Sequence, residues 1–330
     1  MDSGFFYPFD TPKQIDAGKR ALWALPRNLK QLGGIEVDER ASVIHLNSTY
    51  VDIIDRWYLI RGGARSAMLA FLLPALIPGQ IFLSGFSVFL AVRQEIPIAL
   101  AGIAVCLLIP MAWICIKYGV KPILCREFFT YTHFPIRFNR KTRMIHVFRH
   151  NGPGGVLSVP WDDALFYIGQ GTQDRDFLDL RGCVMDGDTV VDSFAVGHFS
   201  NSEQSIRGGW KFLVLYMEQG PQALPENMSI STSTRSCWRN CFLWARIFCS
   251  IFTPVPIIKW GFTALVTAAR WLIMKSCKEP AWPADIEAES VIEPIDPYRL
   301  KEPAVTGEFE NKSQNLAATQ VQAQRRVKKR

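Results

Sequence analysis

The sequence predicts an α+β membrane protein in which a two-helix transmembrane hairpin carries a β-rich cytoplasmic domain closed by one C-terminal helix. Three observations predict it. Residues 66–92 and 96–116 are free of charge and are separated only by Arg93-Gln94-Glu95. Residues 117–221 hold aromatic and β-branched runs punctuated by Asn, Gly and Pro turns. That stretch ends in an apolar stripe, Trp210, Leu213, Val214 and Met217, stopped by Gly220-Pro221.

The hairpin is argued first. A helix needs about 20 apolar residues to cross a hydrocarbon core roughly 30 Å thick. Two such runs separated by three residues cross and return. Pro74 and Pro78 put a kink in the first helix. Gly79 and Gly85 on one helix and Gly102 on the other are the residues expected to let the pair pack closely. Neither run contains a charged residue, so packing explains the prolines better than a transport pathway does. Arg56, Arg61 and Arg65 precede the hairpin, and Lys117, Lys121 and Arg126 follow it, whereas the loop has Arg93 offset by Glu95. Cations gather on the cytoplasmic side of spans, so both termini are expected there. Residues 1–65 lack the charged start and short apolar core of a cleaved signal peptide.

Most of the chain lies outside lipid, since its 330 residues have a mean hydropathy of only +0.07. Within 1–65, short strands are expected at 35–37 and 42–46. In 117–221, strands are expected over 128–138, 144–148, 156–161, 177–185 and 189–196, with turns at 139–143 and 152–155. Asp186-Gly187-Asp188 is a hairpin signal. Ser200-Asn-Ser-Glu203 fits a capping box for the closing helix, and Gly208-Gly209 inside it points to close backbone packing. Antiparallel strands followed by one amphipathic helix resemble a pleckstrin-homology-like small barrel, although periodicity leaves another α+β roll open.

Residues 237–275 are apolar and aromatic but interrupted by cations. Arg239, Arg246, Lys259 and Arg270, mixed with Trp238, Trp244, Trp260 and Trp271, suit a membrane surface, where rings settle among headgroups and cationic stems reach water. Two interfacial helices broken at 253–256 are expected. Residues 279–330 are rich in Pro and Glu and end in Arg325-Arg-Val-Lys-Lys-Arg330, a composition that predicts disorder.

No constellation announces a reaction. His146 and His150 stand four apart without neighbouring ligands, and read as structural. Asp174, Asp176, Asp179, Asp186, Asp188 and Asp192 miss the calcium-loop pattern and read as turn residues. The eight cysteines form no C-x-x-C pair and read as reduced thiols. Phosphate loops, serine elbows and metalloprotease helices are absent from the sequence. No catalytic, cofactor or metal residue is assigned, and the protein is read as non-enzymatic.

From Phe138-Asn-Arg-Lys-Thr-Arg143 through Val159-Pro-Trp161, with the hairpin before and the Gly220-Pro221 helix end after, the chain resembles an uncharacterised family of bacterial inner-membrane proteins encoded near type VI secretion effectors. The resemblance covers roughly 34–221. It implies a multi-pass protein of the bacterial inner membrane that gives immunity against a membrane-acting toxin. The expected partners are the lipid bilayer and a cognate secreted toxin, with no nucleic acid. The rival expectation is a lipid- or signal-sensing membrane adaptor.

Overall fold

The structure, a computed structural model of the chain, describes residues 14–93, 97–107, 110, 113–114, 117, 127–170, 177–225, 230–252, 256–300 and 302–308. In chain order the elements begin with α1 (Ala17–Trp23), β1 (Val43–Leu46), β2 (Tyr50–Ile53), α2 (Ala64–Val92) and α3 (Ile98–Cys106). Strands β3 (Ile136–Asn139), β4 (Met144–Phe148), β5 (Val156–Pro160), β6 (Leu165–Gln170), β7 (Leu178–Asp186) and β8 (Thr189–Ser200) follow. The chain continues with α4 (Glu203–Gln219), β9 (Ile230–Ser231), α5 (Trp238–Phe252), α6 (Pro256–Ser276), α7 (Ala284–Glu289) and β10 (Gly307–Glu308). It divides into two units, one of Met1–Leu59, Thr132–Arg235 and Glu279–Arg330, the other of Ile60–Tyr131 and Ser236–Lys278.

The first unit is built on two antiparallel sheets, β1-β2-β3-β4-β5 and β6-β7-β8. In the larger sheet Leu46, Val51, Phe138, Ile145 and Val159 lie opposite one another across the five strands. Strand side chains alternate between faces, so this row makes one face apolar. It joins a core with Trp161, Phe166, Phe194 and the buried stripe of α4, namely Trp210, Leu213, Val214 and Met217. Trp161 stacks on Trp210 with ring centroids 5.4 Å apart, and Phe166 lies 4.8 Å from Trp210. The helix begins at Ser202, whose Oγ accepts from Ser205 N. The cap falls two residues later than the capping box predicts, because β8 continues through Ser200. Gly208 admits the chain alongside it: a Cβ there would lie 2.7 Å from the Glu36 carbonyl oxygen.

The second unit is helical. Ala245, Phe248 and Cys249 of α5 pack on Val266 and Ala269 of α6. The buried Arg270 donates from Nη1 to the Arg61 carbonyl at 2.7 Å and lies over the Trp244 ring at 5.9 Å. The expected break at 253–256 falls on residues 253–255, which lie outside the described residues.

Three expectations are corrected here. Among the described residues no helix is long and apolar enough to cross a membrane. That overturns the transmembrane hairpin, the membrane fold class, and the multi-pass inner-membrane location with both termini cytoplasmic. In the first run α2 is 29 residues long, and Gln80, Ser84 and Ser87 interrupt its described apolar side chains. In the second run α3 covers 9 residues and stops at Cys106. A run free of charge is therefore not by itself a membrane span. The loop residues Gln94 and Glu95 lie outside the described residues. The pleckstrin-homology-like barrel is likewise replaced by an α+β fold with separate five- and three-stranded sheets. Finally, of the segment expected to be disordered from 279, residues 279–300 and 302–308 are described and carry α7 and β10; residues 301 and 309–330 lie outside the described residues.

Candidate functional site

The face of the larger sheet opposite the core carries a polar row. His45, Asp52, Arg137, His146 and Ser158 lie directly opposite one another on β1 to β5. They are joined side by side. His45 Nδ1 lies 3.0 Å from Asp52 Oδ2, and Arg137 forks onto Asp52 with two bonds of 2.8 Å. His146 Nδ1 lies 2.8 Å from Ser158 Oγ. Arg137 also sits over two rings, 3.8 Å from the Tyr50 centroid and 4.7 Å from that of Trp282. Burial would raise the Asp52 carboxyl, but the Arg137 guanidinium and the hydrogen bonds from Arg137 and His45 hold it well below the usual carboxylate range.

Residues 279–300 and 302–308 form a strap along this face. Glu289 brings its carboxylate 3.9 Å from His146 Nε2, and its carbonyl accepts from Asn139. Asp296 accepts from Ser48 N at 2.6 Å, and Leu300 N donates to the Leu46 carbonyl at 2.8 Å. Glu302 lies 3.8 Å from His45 Nε2, and β10 pairs with β9. The strap therefore removes polar side chains from water while giving several of them partners, which is what makes their burial tolerable.

Two histidines in this row respond oppositely to acid. Burial, and next the Arg137 guanidinium, push the His146 imidazole down from 6.5 to about 4. The unfolded chain then takes up a proton before the folded one does, so stability is full above 6.5 and falls as the pH drops towards 4. The loss is on the order of a few kcal/mol. His45 is raised: burial opposes this, and the Asp52 hydrogen bond and charge outweigh it. Its contribution is present below the unfolded pKa and is lost as pH rises through the raised value. Urea unfolding at pH 7, 6 and 5 should accordingly show His146→Gln with a flattened loss on the acid side. A slope identical to wild type would contradict the burial argument.

A second buried charge cluster lies in the same unit. Asp179 on β7 pairs with Arg56 and with Arg181, whose Nε lies 2.6 Å away. Arg181 also donates to the Gln170 carbonyl at 2.6 Å. A Cβ at Gly169 would sit 2.1 Å from Arg181 Nε, so glycine at that position makes room for the guanidinium.

In the second unit α2 presents an exposed apolar ridge. Phe82, Phe86 and Phe89 are 73%, 47% and 48% exposed. At i, i+4 and i+7 they share a helix face, and their rings stack at 6.1 and 6.4 Å. Ile81, Leu83 and Val92 are exposed beside them, and Ile98, Leu100 and Ile103 are exposed on α3.

The residues singled out from sequence are placed as follows. Among the described atoms nothing lies within 4 Å of a Cβ added at Gly79, Gly85 or Gly102. The basic and aromatic set divides. Trp244 and Arg270 are buried, whereas Trp238, Arg239, Arg246 and Trp260 are exposed. Arg246 lies 4.9 Å from the Trp260 ring centroid, and Trp271, partly buried, meets Trp238 edge-on at 6.0 Å. The Lys259 side chain lies outside the described residues, as do Asp174 and Asp176. Asp186 and Asp188 flank the β7–β8 turn, and Asp192 pairs with Arg149 at 2.6 Å. His150 accepts from Gly152 N beyond the end of β4. Among the described residues no group of His, Cys, Asp and Glu side chains could hold a metal ion.

The polar row escaped the sequence reading. Its signal was a polar side chain set beside apolar ones in each of five short strands, as in Val43-Ile-His-Leu46 and Val156-Leu-Ser-Val-Pro160. Only the register shows that they align.

A family model described as a family of unknown function, DUF6708, matches residues 108–294, which is more than half of the chain. It carries no statement on secretion or immunity. Comparison with curated proteins and with solved structures gave no match. The matched stretch takes in β3 to β8 and α4 to α7, and on that extent the chain belongs to the DUF6708 family, a family of unknown function.

Proposed function

We propose that this protein is a non-enzymatic binding protein that protects its own cell by capturing a secreted, membrane-acting toxin. The resemblance to proteins encoded near type VI secretion effectors motivates the toxin. The observation that supports capture is the stacked, exposed ridge of Phe82, Phe86 and Phe89. Large apolar side chains gathered in one patch mark interaction surfaces, and aromatic anchors supply most of the energy at protein interfaces. A toxin that enters lipid must itself carry an apolar segment. Covering that segment with the ridge buries two surfaces that water disfavours and keeps the toxin from its target.

The test is survival of cells expressing the toxin encoded beside the gene. Wild type should protect. A Phe82→Asp/Phe86→Asp variant should lose protection while unfolding at an unchanged urea midpoint, since surface substitutions away from special features usually move stability by about 0.5 kcal/mol or less. Loss of two aromatic anchors should weaken binding by about 30-fold or more. Full protection by the variant would remove the ridge from the account. No protection by wild type would remove immunity; binding of the same protein to anionic vesicles would then favour the lipid-sensing adaptor, a role to which the exposed Trp238, Trp260 and Arg246 are chemically suited.

A further inference from the structure

From Asn227 to Lys278 the chain contains seven Lys and Arg residues and no Asp or Glu. Helices α5 and α6 occupy most of that stretch. Each buries one face, with Cys241, Trp244 and Phe248 on α5 and Val266, Ala269 and Ile273 on α6. A helix at a protein surface ordinarily sets polar and charged residues opposite its buried stripe. On α5 the opposite face instead carries Trp238, Arg239, Phe242 and Arg246, all exposed. Trp238, Phe242 and Arg246 follow at intervals of four residues, so they line one side of the helix. The exposed residues of α6 include Trp260, Ala264, Leu272 and Lys275. Trp238 and Trp260 leave 51% and 60% of their surface open, so neither ring is a core residue. Trp238 of α5 meets Trp271 of α6 at 6.0 Å, and Arg246 lies 4.9 Å from the Trp260 ring centroid. The helices therefore run antiparallel, and their outward faces adjoin as one aromatic and cationic surface.

We propose that the outward face of α5 and α6 docks on the surface of an anionic lipid bilayer, with both helices lying flat along it. Docking of this kind needs no helix long enough to cross. Aromatic rings settle at the boundary between headgroups and acyl chains, while the stems of Arg and Lys lie along that boundary and their charges reach lipid phosphates. Arg246 can keep its ring contact with Trp260 while its guanidinium meets a headgroup. The pairing of chemistries selects the partner. Free phosphate or nucleic acid would satisfy the cations and leave the exposed indoles in water, whereas a lipid surface covers both. With no carboxylate in the stretch, nothing on these two helices repels an anionic surface. The inference goes beyond toxin capture and uses none of the residues of the Phe82, Phe86 and Phe89 ridge.

The test uses the full-length protein with two kinds of vesicle, phosphatidylcholine alone and equal parts of phosphatidylcholine and phosphatidylglycerol. The protein should sediment with the anionic vesicles, bind the neutral ones far more weakly, and dissociate as sodium chloride is added. Its tryptophan emission should move to shorter wavelength and be quenched by brominated acyl chains, because the docked rings leave water. An Arg239→Glu/Arg246→Glu variant should bind about tenfold or more weakly, since each basic residue near an anionic surface contributes about fivefold. A Trp238→Ser/Trp260→Ser variant should lose most of the emission shift. All four side chains are exposed, so both variants should unfold at the wild-type urea midpoint. The Phe82→Asp/Phe86→Asp variant should keep wild-type vesicle affinity, which separates this result from the survival assay. Absence of binding to the anionic vesicles would overturn the proposal. So would wild-type affinity in the arginine variant, or loss of binding in the ridge variant alone, which would assign lipid contact to α2.

Discussion

Asp179→Ala should lower the free energy of unfolding by about 3–5 kcal/mol, because it strands buried cations without their counter-charge. Asp179 and Arg181 are both almost fully buried, and Arg56 reaches the same carboxylate. Burial lowers the Arg40 pKa to about 10, with the charges of Asp38 and Asp179 acting against that fall, so the substitution takes support from this guanidinium too. The effect should be asymmetric. Arg181→Met leaves Asp179 paired with Arg56 and the glycine-lined space at Gly169 filled by an apolar chain, so it should cost clearly less. Urea denaturation of the three proteins checks both statements. Equal losses for the two variants would mean that the guanidiniums are solvated more fully than their burial indicates.

Trp210→Ala should cost a similar 3–5 kcal/mol by a different mechanism. The indole is completely buried, stacks on Trp161 and touches Phe166, and its Nε1 donates to the Pro26 carbonyl at 2.7 Å. Truncation opens a cavity between α4 and the sheets and leaves a carbonyl without its donor. Trp210→Phe keeps most of the apolar volume and loses the bond, so about 1–2 kcal/mol is expected. Domains are stable by about 5–15 kcal/mol, so the alanine variant should be unfolded in part at physiological temperature. A loss below about 1 kcal/mol would show that this interface collapses around the gap.

Local patterns in the sequence were good guides where one stretch carried the whole signal. The run 144–148 is a strand with those bounds, the Asp186-Gly187-Asp188 turn joins β7 to β8, and Gly220 ends α4. Two helices are described on either side of 253–255, Trp238–Phe252 and Pro256–Ser276. Strand β6, Leu165–Gln170, was missed: its side chains do not alternate cleanly, and the sheet rather than the local pattern makes it a strand. Asp179 was read as a turn residue because it stands among other aspartates, yet it lies within β7 and holds two arginines from the interior. The polar row depends on pairings such as Asp52 with Arg137, 85 residues apart, which no local period reveals. The strap was hidden by composition, since Pro and Glu mark disorder on average, whereas Asp296, Leu300 and Glu302 here find defined partners. The charge-free runs misled because freedom from charge is a weaker requirement than a helix both long and apolar enough to cross, and none is found among the described residues.

The most direct measurement of the central claim is amide hydrogen exchange of the purified protein with and without the toxin encoded beside its gene. Toxin binding at the ridge should slow exchange over residues 81–92 of α2 and leave β7 and β8 unchanged, and the Phe82→Asp/Phe86→Asp variant should show no slowing. Slowing confined to the first unit, or none anywhere at a toxin concentration that wild-type cells survive, would contradict capture by the ridge.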